Sequence, residues 1–304
     1  MNSAINQHWA PQFYLEGFST APGSEKTLVI DVIACRKGKY TAKPRAIRKT
    51  AASIHLYSHP LPDGTFDGTS SGAGAQGWDD SVEKMHESIE REAGKLWSKF
   101  ARVPFNVELS SGSEDRVLLC IFLANLHLRN PRMISLADYA ADLPDSGSVP
   151  SEDQIYDAIQ SAPLNLDHTL EGVNARSNFR AIQHRGISSV AGVLDRLQWT
   201  VHVFSTKGGV GPLVTSDTPL YCISAETGKA TSLNNPKAVV FFPLNSNLML
   251  TATGQPQGGT NGQAVHATKH LAEKFNEMTV GFARSEAYAC RHFEKTFNFF
   301  PEDL

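Results

Sequence analysis

The sequence predicts an α+β protein, and three observations carry that prediction. Apolar residues recur at helical spacing between Asp80 and Phe100. A continuous apolar run, Val117 to Ala124, lies inside a longer helical segment. From Gln198 onward the period shortens to β-rich runs punctuated by Gly, Pro and Asn. The expected architecture is an N-terminal β hairpin, a central helical bundle with a buried helix, and a C-terminal antiparallel sheet with a final helix. One domain over 1–304 accommodates it, with a β unit at about 1–60, a helical part at 79–197 and a β-rich part at 198–304.

In chain order, Thr27–Cys35 and Gly38–Lys43 read as a strand pair around Arg36-Lys37-Gly38, whose glycine can supply the positive φ of a tight turn. Residues 61–77 are rich in Gly, Ser, Thr and Asp and read as a loop. The first long helix opens at Asp80, with Glu83 three positions on as in a capping box, and lays Val82, Met85, Ile89, Ala93, Leu96, Trp97 and Phe100 along one face. The second begins near Ser113 and is ended by Pro131. Ser151–Ala162 and Asn174–Leu197 read as further helices. Strands follow at Gln198–Ser205, Pro212–Thr215, Leu220–Ile223, Ala238–Phe242 and Asn247–Thr253, then a helix over Gln263–Phe282 and a strand at Ala287–Cys290.

Composition narrows the function classes. With 41% hydrophobic and 19% charged residues, the chain has material for a core and is no disordered tail. A net charge of -3 argues against a surface given over to phosphate neutralisation, although a local basic patch stays compatible with it. Cys35, Cys120, Cys222 and Cys290 show no C-x-x-C spacing and read as reduced and mostly buried. The start, Met1 to His8, has neither a basic nor an apolar leader region, and no apolar run is long enough for a bilayer, so a cytoplasmic protein without a membrane partner is expected.

Several motifs have bland and functional readings. Gly72-Ala73-Gly74-Ala75-Gln76-Gly77 matches G-x-G-x-x-G, but no apolar strand precedes it, and Asp79 and Asp80 would meet the phosphate; a linker explains it better. Gly208-Gly209-Val210-Gly211 reads as a hairpin turn. His266 and His270 are four apart on the expected last helix, a spacing that can aim two imidazoles at one metal or simply decorate a surface. His55 and His59 share that spacing without a helix to justify it. Arg36, Lys37, Lys39, Lys43, Arg45, Arg48 and Lys49 form a block with no acid between Asp31 and Asp63, read either as a nucleic-acid contact or as a solvated edge hairpin.

More pointed is the end of the buried helix, where Asn125 and Arg129, four apart, share a face. A guanidinium there is aimed at a bound anion, or at an internal carboxylate such as Asp217 or a glutamate. Thr215-Ser216-Asp217-Thr218-Pro219 follows an apolar strand, a common place for site residues, although Asp217 can equally close a turn. No G-x-S-x-G elbow marks Ser216 as a nucleophile.

Five separated segments then resemble one family. They are His8-Trp9-Ala10-Pro11-Gln12-Phe13-Tyr14-Leu15 with Phe18, the acidic helix from Val82 to Glu90, the Leu123–Arg132 helix end, the Thr-Ser-Asp-x-Pro motif at 215–219, and Phe242-Pro243-Leu244 followed by the Asn276 helix. Their order and spacing resemble the bacterial family of domain of unknown function 4238 over nearly the whole chain. Trp9 stands where that family carries Tyr, and Asn125 where it more often carries Gln. The resemblance implies no activity, but it marks His8, Gln12, Tyr14, Glu90, Arg129, Arg132, Thr215, Ser216, Asp217 and Asn276 as motif positions.

A His, an Asp, a Glu and two Arg from distant segments suit a hydrolytic pocket. The expectation is a hydrolase of nuclease or phosphodiesterase type in a bacterial toxin or defence setting. In it His8 is the general acid/base, Asp217 orients it or holds a metal, and Arg129 stabilises developing negative charge. Gln12, Tyr14, Arg132, Thr215, Ser216 and Asn276 would contact the substrate. The cofactor is left open, a divalent metal included. The rival reading is a non-enzymatic sensor or binding module for a small anionic ligand or nucleic acid.

Overall fold

Two larger β-sheets and two long helices frame the computed structural model, which describes residues 6–54, 59–60, 78–79, 81–102, 109–130, 186–204, 212–254 and 263–293. The expected helices at 151–162 and 174–185, the glycine-rich segments at 72–77 and 208–211, His55, the cap at Asp80 and Arg132 lie outside the described residues.

The chain enters through strand β1 (Asn6–His8) and a short helix α1 (Gln12–Glu16). Strand β2 (Lys26–Asp31) pairs with β3 (Ala42–Ala46) in antiparallel register from Lys26↔Ala46 to Ile30↔Ala42. The sequence places this hairpin correctly but not its turn. Asp31 accepts a hydrogen bond from the Ala34 amide at 2.8 Å and caps a short helix, α2 (Val32–Arg36), in place of further strand. Gly38, with φ of 74°, then reverses the chain. A 3₁₀ turn at Ile47–Lys49 leads to β4 (Ala52–Ile54), which pairs with β1, while β5 (His59–Pro60) and β6 (Trp78–Asp79) form a separate bridge.

Helix α3 (Ser81–Arg102) buries Ala93, Leu96, Trp97 and Phe100, as its periodicity requires. Helix α4 (Glu114–Arg129) begins where the Ser113 hydroxyl accepts from the Arg116 amide. It buries nearly all of its second half, while Val117 stays exposed. Arg116 is buried without being orphaned. Its Nε donates to Asp195 at 2.7 Å, its Nη1 to the Leu109 carbonyl at 2.8 Å and its Nη2 to the Leu197 carbonyl at 2.7 Å. One guanidinium thus ties α4 to the helical stretch at 186–195 and to the start of the next sheet.

That sheet has the order β12-β7-β11-β10-β9, built from β7 (Gln198–Val203), β9 (Tyr221–Ser224), β10 (Ala238–Asn245), β11 (Leu248–Thr253) and β12 (Gln263–His266). It is antiparallel except where β12 runs parallel to β7. The last helix, α5 (Lys269–Phe282), therefore starts later than its periodicity suggested, at a Thr268 cap. His266 lies on a strand and His270 on a helix, so the helical spacing argument for a metal pair fails. The second sheet, β3-β2-β13-β8, joins N-terminal strands to β8 (Thr215–Ser216) and β13 (Glu286–Ala289).

Aromatic rings stitch the layers together. Phe13 and Tyr14 of α1, Trp97 of α3, Phe122 of α4 and Phe242 of β10 meet with centroids 5.1–5.7 Å apart in edge, tilted and stacked contacts. Cys35, Cys120 and Cys222 are buried thiols and Cys290 is half-buried. None of the described helices is long and apolar enough to cross a membrane.

His202 on β7 donates or accepts a hydrogen bond with the Thr251 hydroxyl at 2.9 Å and sits edge-on to Phe275; burial pushes its pKa down to about 4. In the unfolded chain the group titrates near 6.5, so between these values the unfolded state binds more protons. The resulting stability is complete above pH 6.5 and is lost as pH falls toward 4. Lowering the pH from 7 to 5 should cost about 2 kcal/mol through this residue. Urea unfolding of His202→Phe at both pH values should show that increment missing, and an unchanged pH response would refute the assignment.

Candidate functional site

The apolar helix α4 carries its polar residues at its C-terminal end, and α3 presents a matching set across the helix pair. His86 and Glu90, four apart on α3, face Asn125 and Arg129, four apart on α4. His86 Nδ1 and Asn125 Oδ1 are 2.6 Å apart, so the amide oxygen accepts and Nδ1 carries the proton. Arg129 Nη1 donates to Glu90 Oε1 at 2.5 Å, from a guanidinium only 1% exposed. Of the two destinations open to Arg129 from sequence, an anion or an internal carboxylate, Glu90 is the one it reaches.

The N-terminal segment closes this cluster. Pairing of β1 with β4, and the Trp9 amide bonded to the Ala51 carbonyl at 2.9 Å, fix His8 beside the chain that leaves β3. His8 Nε2 donates to the Arg48 carbonyl at 3.2 Å. Since a carbonyl only accepts, the basic lone pair of the neutral ring resides on Nδ1. Burial lowers the His8 pKa below 6.5, opposed by the Arg48 carbonyl and by the charge of Glu90, while the charge of Arg129 adds to the lowering. His8 thus feels both members of the α3–α4 ion pair and is neutral at neutral pH.

Two further donors belong to the same motifs. Asn125 Nδ2, in a residue fully buried, and Trp9 Nε1 have no hydrogen-bond acceptor among the described residues. Buried donors of this kind cost free energy unless something accepts from them. One neighbours His8 in sequence and the other lies one helical turn before Arg129.

The Thr-Ser-Asp motif is engaged elsewhere. Asp217 is fully buried. Its Oδ1 accepts from the Arg284 amide at 2.8 Å, and its Oδ2 from the Ser285 amide, the Ser285 hydroxyl and the Glu286 amide at 2.7, 2.8 and 3.1 Å. None of these bonds comes from the N-terminal segment, so the structure gives Asp217 no role in orienting His8. Its carboxylate instead organises the turn between α5 and β13. Ser216 Oγ accepts from the Thr218 amide at 3.2 Å. The Tyr14 hydroxyl donates to the Pro243 carbonyl at 2.8 Å and accepts from Thr215 Oγ1 at 2.6 Å, joining α1 to both sheets. Asn276 accepts from the Val214 amide and donates to the Pro212 carbonyl, both at 2.9 Å. Gln12 is exposed in the first turn of α1.

Of the residues singled out from sequence, Glu90 and Arg129 are in contact, His8 lies within electrostatic reach of both, and Tyr14 and Thr215 meet elsewhere. Sequence reasoning missed His86 as a site residue. The signal was present, since His86 and Glu90 repeat on α3 the four-residue spacing that singled out Asn125 and Arg129 on α4. Among the described residues no group of three His, Cys, Asp or Glu side chains is placed to hold a metal ion.

No curated protein and no solved structure matches the chain significantly. The motif segments that converge here, and those that brace the sheets, fall inside the stretch matched by one family model. With residues 6–293 covered by the model for the protein of unknown function DUF4238, the chain belongs to that family.

Proposed function

We propose that the protein is a hydrolase of phosphodiesterase type whose site is the cluster of His8, Glu90 and Arg129, with Asn125 and Trp9 as supporting donors. The observation that carries this reading is a half-buried imidazole within electrostatic reach of a buried ion pair, drawn from three separated segments of the chain. Neutral His8 would take a proton from water as the water oxygen bonds to phosphorus. The resulting imidazolium would return that proton to the departing alkoxide as the P–O bond breaks. Arg129 and the N–H donors of Asn125 and Trp9 favour a substrate bearing negative charge, because each is a hydrogen-bond donor. Asp217, Tyr14, Thr215, Ser216 and Asn276 have bracing roles in this reading.

The test is incubation of wild type and His8→Ala with bis(p-nitrophenyl) phosphate, mixed RNA, single-stranded DNA and duplex DNA, in Mg2+, in Mn2+ and in EDTA. Removal of the general base should reduce turnover by about 10²–10⁴-fold. The wild-type rate should fall as pH drops through a value below 6.5, where His8 becomes protonated. A rate with no acid limb, or equal rates for the two proteins, would count against His8.

A second reading, a non-enzymatic module that binds an anionic ligand, is favoured by one feature. Arg129 is almost completely buried against Glu90, which suits a fixed recognition element as well as a catalytic one. Saturable phosphate or nucleotide binding without turnover under every condition above would select it.

A further inference from the structure

The block from 36 to 49 carries seven basic residues, and they have different uses. Arg36 is used structurally, its Nη2 donating to the Ala283 carbonyl at 2.6 Å. Lys39, Lys43 and Arg45, by contrast, line a groove of about 490 Å³ beside β2, β3 and the turn at 285–286. Lys43 and Arg45 are two apart on β3 and so share one side of the strand. Two carboxylates also border the groove, but both are committed. Glu286 pairs with Arg45 at 2.7 Å and accepts from the Tyr288 hydroxyl, and Asp31 caps α2. Lys39 and Lys43 are exposed and have no ion pair among the described residues. The groove therefore has an uncompensated positive charge in a chain whose net charge is -3.

β3 is the outer strand of its sheet among the described residues, so the groove lies at that sheet's edge. From that edge the backbone runs through the 3₁₀ turn to Arg48, whose carbonyl accepts from His8. Lys43 and Arg48 are five residues apart, a reach of at most about 18 Å. That is the length of roughly five phosphates in a strand at helical spacing. Exposed Ile33 adds an apolar wall. The volume is that of a small-ligand pocket, which suits a few nucleotides of one strand and not a duplex.

We infer that this groove is a track for the phosphodiester backbone of a single-stranded nucleic acid, with Lys39 and Lys43 holding successive phosphates and leading the strand toward His8. The inference rests on the hydrolase reading for what happens at the end of the track, but the binding it describes does not need turnover. Neutralising two phosphates on a single strand gives a log–log salt slope of about -1.4. Affinity should therefore weaken about sevenfold between 50 and 200 mM salt.

The experiment is fluorescence anisotropy of the full chain with labelled oligo(U) and oligo(dT), with polyglutamate as a competitor of matched charge. Wild type should bind at least one of the two strands with the salt response above. Lys39→Ala/Lys43→Ala should bind more weakly, and its salt response should be largely lost. Both lysines are exposed, so this variant should melt with wild type. An unchanged salt response in the double variant, equal competition by polyglutamate, or no binding of either strand would overturn the track. Strand binding without cleavage would leave the track standing and remove the hydrolase reading. Turnover of bis(p-nitrophenyl) phosphate without strand binding would do the reverse.

Discussion

Asp217→Asn is expected to lower the melting temperature by roughly 10 °C, an estimate that follows from losing charge-assisted hydrogen bonds in a chain of this size. The carboxylate accepts four hydrogen bonds, three from backbone amides at 284–286 and one from the Ser285 hydroxyl. An amide side chain keeps one acceptor oxygen and turns an NH2 group toward N–H donors, leaving buried groups unsatisfied. The cost is about 3–5 kcal/mol. Turnover measured well below the melting transition should remain within about threefold of wild type, because the carboxylate reaches neither His8 nor Arg129 through any of its bonds. Thermal melting monitored by circular dichroism checks the first part and an initial-rate assay the second.

The second large effect concerns the pair on α3 and α4. Arg129→Met should destabilise the fold by about 3–5 kcal/mol, since it leaves the Glu90 carboxylate beside an apolar helix without its cation. Arg129→Met combined with Glu90→Gln should recover a substantial part of that loss, because the uncompensated charge disappears. Hydrolysis should be lost in the single and the double variant alike. Recovered stability with recovered turnover would mean that the pair only holds the helices together. Equal destabilisation of single and double variants would mean that the charge interaction is not what the fold depends on.

How far the sequence could be read follows from which forces act locally. Helix α4 was legible because its cap at Ser113, its apolar run and its stop before Pro131 are all encoded within one segment. Strands β10 and β11 were legible for the same reason, being apolar runs bounded by turn residues. Val32 to Cys35 reads as strand but is helical because the bond that the Ala34 amide donates to the Asp31 carboxylate outweighs the β preference of Val32 and Ile33. Gln263–His266 was misread as helix because parallel pairing with β7 is a long-range interaction that no local pattern announces.

The site divided along the same line. Arg129 could be singled out because a charged residue ending an apolar helix needs a partner, and the short spacing to Asn125 gave the face. Its partner on α3 could not be chosen from sequence among several carboxylates. Asp217 has two readings from sequence, a site carboxylate and a turn-closing one. A carboxylate at a strand end is equally what a buried turn needs, and only the amides at 284–286 distinguish the two.

The most direct test is to measure turnover of bis(p-nitrophenyl) phosphate and melting temperature together in wild type, His8→Ala and Asp217→Asn. The account predicts a crossed pattern. His8→Ala should lose turnover and melt within a few degrees of wild type, whereas Asp217→Asn should keep turnover at low temperature and melt roughly 10 °C lower. A His8→Ala protein that retains turnover, or an Asp217→Asn protein that melts normally and loses it, would contradict the placement of the site at His8, Glu90 and Arg129.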